Sequence, residues 1–93
     1  MVKKAVKFLV KGTVQATSFR DFCKEKADFF NLRGYVRNLE SGDIELFAEG
    51  DKEKIESFYE ILKKGPPYAQ IRDIKIEEKK WTGDFKEFSI MKF

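Results

Sequence analysis

Histidine is absent from the 93 residues. Its absence removes Ser-His-Asp and Cys-His catalysis and every zinc site that draws on imidazole. Cysteine is nearly absent, with Cys23 alone. An internal disulfide and a Cys-clustered metal site are thereby excluded, so no metal is expected, and a reducing cytoplasm fits. No apolar run approaches the roughly 20 residues that span a bilayer. Ala5–Val10 is short and broken by Lys7, which reads as a first strand and not as a signal peptide, so no membrane association is expected. Charge of one sign does not dominate either. Lys and Arg number 19 against 16 Asp and Glu, a net charge of +3. That balance mildly favours anionic ligands and falls short of announcing a nucleic-acid binder.

What is present is the material of one small core. Hydrophobic residues make up 42% and charged residues 38%, with no repeat, linker or low-complexity stretch. This composition supports a single folded domain. Val6, Phe8 and Val10 alternate with Lys7, Leu9 and Lys11, which reads as a strand over residues 3–12 that Gly12 ends. A helix is expected over 18–31. Ser18 and Asp21 resemble a capping box, and Phe19, Phe22, Cys23, Ala27 and Phe30 form one apolar stripe. Cys23 lies on that stripe and reads as a packing residue. Gly34 is the expected break before a short strand, Tyr35–Leu39.

Glu40-Ser41-Gly42-Asp43 is a turn cluster joining that strand to one carrying Ile44, Leu46 and Ala48. Asp51 is the candidate N-cap of a second helix, whose buried stripe is Ile55, Phe58, Ile61 and Leu62 and which Gly65-Pro66-Pro67 stops. Ile71, Ile74 and Ile76 mark a fourth strand with room for a bulge, and Glu87–Phe93 a last one. Trp81 and Phe85 flank the Thr82-Gly83-Asp84 turn, where they either close the sheet edge or meet a ligand. The order is that of an α+β, ferredoxin-like split β-α-β sandwich, an antiparallel sheet with two helices on one face. Such a fold decides nothing about activity.

Chemistry is expected at two places. Gly12 to Arg20 runs from a strand through a loop into a helix N-terminus, where free amides and the helix dipole make an anion site. Arg20 in the first turn can fold its planar guanidinium over that spot and hold two phosphate oxygens, although a plain surface arginine is the simpler reading of this residue alone. Asn38, just before the hairpin turn, is by itself most simply a turn-stabilising residue.

Together the two segments resemble the acylphosphatase family. Its first motif is Gly, any residue, Val, Gln, Gly, Val, any residue, Phe, Arg. Gly12, Val14, Gln15, Phe19 and Arg20 match it in register. Its second is Gly, aromatic, Val, basic, Asn, three residues, Gly. Gly34, Tyr35, Val36, Arg37, Asn38 and Gly42 match it, with Gly65-Pro66-Pro67 in further support. The resemblance covers essentially the whole chain and implies one acylphosphatase-like domain over 1–93.

It further implies hydrolysis of acyl phosphates to a carboxylate and inorganic phosphate, without metal or cofactor, by a cytoplasmic monomer. Arg20 would bind the phosphoryl group, ringed by the amides of Gln15, Ala16, Thr17, Ser18, Phe19 and Arg20, and Asn38 would position the attacking water. Ala16 and Thr17 stand where the family has Gly and Val. A glycine needed there for close backbone approach would make Ala16 a cost of about 1–2 kcal/mol. The alternative this opens is a catalytically impaired relative that binds phosphate or an acyl phosphate. A more distant alternative is an RNA-binding domain, since Arg33-Gly34-Tyr35-Val36 resembles the start of an RNP1 signature. That segment falls on the second strand and not the third, and the third is acidic.

Overall fold

Alternation in Lys3–Thr13 (β1) turns Val6, Phe8 and Val10 inward, opposite Ala48, Leu46 and Ile44 of Ile44–Asp51 (β3). The fold comes from a computed structural model that describes residues 2–13 and 16–91, and only the backbone of residues 13, 16 and 17. The remaining elements are helix Ala16–Phe29 (α1), strand Arg33–Asn38 (β2), helix Lys52–Lys64 (α2), strand Gln70–Lys79 (β4) and strand Phe88–Met91 (β5). The sheet order is β4-β1-β3-β2-β5. Three of the pairings are antiparallel, as expected, but β5 runs parallel to β2, so the ferredoxin-like sheet is mixed.

Both helices lie on one face because their stripes have nowhere else to go. Phe19, Cys23 and Ala27 of α1 and Ile55, Phe58 and Leu62 of α2 are buried in one cluster with the inward residues of the sheet. Phe58 sits between Phe8 and Phe88, with ring centroids at 6.0 and 6.4 Å in edge contact. Truncating such a ring to Ala is expected to cost about 3–5 kcal/mol.

Several local expectations change. The first strand does not stop at Gly12 but runs to Thr13, through a register shift against β4 between Lys11 and Gly12. Helix α1 starts at Ala16, so Ser18 lies inside its first turn and caps nothing as an N-cap would. The helix ends at Phe29, and the break is made by Asn31, not Gly34. Asn31 adopts φ 57°, its amide donates to Asp28 O at 3.0 Å, and the Leu32 amide donates to Ala27 O at 2.9 Å. This is a Schellman closure, and the buried pair Ala27 and Leu32 seals it. Gly34 serves the sheet instead. A Cβ there would lie 1.8 Å from the carbonyl oxygen of Phe47, so β2 and β3 approach closely only with glycine. Asp51 occupies the N-cap position of α2, but its side chain caps no amide and pairs with Lys3 Nζ at 2.9 Å.

Candidate functional site

Register brings the two candidate side chains to one end of the sheet. Val10 and Asn38 both pair with Ile44, so the three form a row across β1, β3 and β2 where β1 hands over to α1. Asn38 follows Gly34 and Val36 in the alternation, which puts it on the helix-covered face. Arg20, in the second turn of α1, reaches the same end. Its Nη1 donates to the carbonyl of Met91 at 3.4 Å, and Met91 pairs with Arg37, the neighbour of Asn38.

Each side chain leaves a polar atom buried. Arg20 Nε and Asn38 Oδ1 have no hydrogen-bond partner among the described residues. Native proteins rarely tolerate this, because an unpaired buried donor or acceptor costs about 1–3 kcal/mol. One is a donor on a cation and the other an acceptor, and the two lie at one end of the fold. The surroundings agree. The first turn of α1 carries no acidic side chain to compete with an anion. Its amides include those of Ala16, Thr17 and Ser18, which a helix start leaves without internal partners.

The expected phosphate loop divides accordingly. Gln15 lies outside the described residues, as do the side chains of Ala16 and Thr17. Ser18 is half-buried within α1, and Phe19 is fully buried. The Phe19 ring stacks on Phe22 at 5.9 Å, so this side chain anchors the first turn by packing. Cys23 is fully buried and burial pushes its thiol pKa far up, which makes it packing and not a nucleophile.

Other groups shape the site from behind. Lys24, one turn after Arg20, donates to the Phe88 carbonyl at 2.8 Å, a second tie between α1 and β5. On the face of the sheet away from the helices, Glu45 is 4% exposed and accepts hydrogen bonds from Arg37 and Tyr35, with Lys7 Nζ 3.1 Å away. Burial alone would raise the Glu45 pKa, but the Arg37 and Lys7 charges and hydrogen bonds outweigh it and hold the carboxyl below its ordinary value. The one sequence signal for this network is the alternation that turns Glu45 away from the core. On the same face Phe47 stacks on Tyr35 at 5.8 Å and meets Phe85 at 5.4 Å. Trp81 and Phe85 line a cavity beside the Lys3–Asp51 pair, at the opposite end of the sheet from Asn38. Among the described residues no three ligating side chains cluster to hold a metal, and no helix is long and apolar enough to cross a membrane.

Comparison with known proteins adds the family. The acylphosphatase family model matches residues 6–90. An acylphosphatase of Dehalococcoides mccartyi is 41% identical over 86 residues, covering 91% of this chain and 94% of its own. The crystal structure of acylphosphatase from Bacillus subtilis superposes with a TM-score of 0.90 at 34% identity, over 96% of this chain and 99% of that one. HypF of T. kodakarensis matches with a TM-score of 0.82 at 40% identity, over 97% of this chain but 12% of its own length.

Proposed function

The chain belongs to the acylphosphatase family, and on that premise we propose that it hydrolyses acyl phosphates with Arg20 as the phosphoryl-binding residue and Asn38 as the residue that places the water. The observation that carries this reading is the pair of buried atoms, Arg20 Nε and Asn38 Oδ1, without partners among the described residues, at the end of the sheet where α1 begins.

The chemistry suits these residue types. Phosphoryl transfer asks for positioning and for charge stabilisation on the equatorial oxygens. The Arg20 guanidinium and the first-turn amides of α1 supply donors to those oxygens. A water donates a hydrogen bond to Asn38 Oδ1 and thereby points a lone pair at phosphorus. As the water oxygen bonds to phosphorus, the bond from phosphorus to the acyl oxygen breaks, and the carboxylate leaves with the electron pair. One water proton stays on the new phosphate oxygen and the other passes to a phosphate oxygen, which gives dihydrogen phosphate. A carboxylate is a good leaving group, so no protein acid is required. An amide cannot take a proton near neutral pH, so Asn38 orients and does not act as a base.

Every group in this scheme comes from one chain, and the substrate is a small acyl phosphate, consistent with a monomer in the cytoplasm. The test is steady-state hydrolysis of a simple aromatic acyl phosphate by the whole protein, beside Arg20→Lys. Wild type should turn over with inorganic phosphate as competitive inhibitor. Arg20→Lys should lose both turnover and phosphate inhibition, because a point charge lacks the planar fork. Equal rates in the two proteins would sink the proposal.

A further inference from the structure

At the end of the sheet remote from Arg20 and Asn38, a cavity of about 460 Å³ opens beside the first residues of β1 and β2 and the last of β3. Small-molecule sites typically span about 300–1,000 Å³. Its walls are of two kinds. Phe30, Trp81 and Phe85 supply rings, while Arg33 and Lys54 supply cations.

The two acids at its edge are already engaged. Asp51 holds Lys3 at 2.9 Å, and Glu49 accepts from the Thr82 amide, the Thr82 hydroxyl and the Gly83 amide at 2.7, 2.9 and 3.2 Å. The cations are not matched in this way. Arg33 gives one donor to the Phe85 carbonyl at 3.5 Å, and among the described residues Lys54 has no hydrogen bond or ion pair.

The aromatic wall is built. Glu49 is 3% exposed, and its three bonds fix the turn at Thr82 and Gly83. Gly83 sits at φ +71°, and a Cβ there would come within 2.7 Å of the Trp81 ring, so the ring lies directly against the turn. The outer side of that ring remains open, with Trp81 45% exposed. A planar ring can stack there while an anionic substituent reaches the free guanidinium and ammonium donors.

We propose that this cavity is a second ligand site, taking planar aromatic anions such as aryl carboxylates and separate from the phosphoryl site. Trp81 is the only tryptophan, so its indole N–H gives a single proton NMR signal that reports the cavity. Titrating 2-naphthoate into the whole protein should shift that signal saturably, half-complete at or below about 1 mM. The uncharged 2-naphthalenemethanol should bind about tenfold more weakly, and Lys54→Glu, at an exposed position, should weaken 2-naphthoate by about tenfold or more. Arg33→Ala serves as a second variant with the same expectation. Saturating inorganic phosphate should leave the titration unchanged. A linear or absent shift, equal binding of the alcohol, undiminished binding in both variants, or displacement by phosphate would each overturn the proposal.

Discussion

The two ends of this sheet treat buried polar groups in opposite ways. Where β1 meets α1, Arg20 Nε and Asn38 Oδ1 are buried and unpartnered among the described residues. At the far end the Glu49 carboxylate is buried and accepts three hydrogen bonds. The two helix starts repeat the contrast. The first turn of α1 has no acid, whereas Asp51 and Glu53 stand at the start of α2. On the proposed reading, the first end holds a donor and an acceptor for substrate and water. The other uses its polar atoms to pin a loop. The proposed reading thus separates function from structural support along the strands.

The strongest way to break that division is Arg20→Ala. Turnover of an aromatic acyl phosphate should fall on the order of a thousandfold, while the circular dichroism spectrum stays native. A loss below about tenfold would mean that the Arg20 guanidinium is structural. Asn38→Ala should lower kcat by about a hundredfold and leave the phosphate inhibition constant unchanged, because its partner is water. Collapse of phosphate affinity would move Asn38 to the binding role.

Glu49→Ala sharpens the other side. It removes the acceptor of the exposed Thr82 and Gly83 amides and should cost about 1–2 kcal/mol in urea unfolding, with kcat intact. A fall in kcat of the same size would show that the two ends are coupled. Glu45 tests the sheet between them. Its pKa is lower folded than unfolded, so its contribution is complete above the unfolded value. That contribution is lost as pH falls through the depressed folded value. Thermal melts from pH 7 into the acid range should therefore be steeper in wild type than in Glu45→Gln. Asp51→Ala should do least, under about 1 kcal/mol, since the side chain caps no amide and its lysine partner is half exposed.

Much of this fold was legible because period and punctuation agree. Val6, Phe8 and Val10 had to share a face, and Ile55, Phe58 and Leu62 had to share a stripe. The departures arise where backbone does what side-chain patterns cannot report. Asn31 took the left-handed residue that a glycine was expected to supply, because a short polar side chain tolerates that conformation. Gly34 proved necessary for strand approach, a property of the partner's carbonyl and not of its own neighbours in sequence. The parallel pairing of β5 follows from where the chain returns across the sheet, which no local pattern encodes. Arg20 and Asn38 were legible only as a matched pair of motifs. The acidic third strand carries Glu45 and Glu49, and both are buried against cations or amides of other segments, which no local pattern reports.

The bond from Arg20 to the carbonyl of residue 91 spans a sequence separation of 71. A partly folded chain with β1, α1 and the β2–β3 hairpin in place would still lack the acceptor that steadies the guanidinium. Contacts of such long range form late, because loop closure must precede them. Recovery of catalysis after a denaturant jump should therefore trail the recovery of helical signal, and the lag would time the arrival of the final strand.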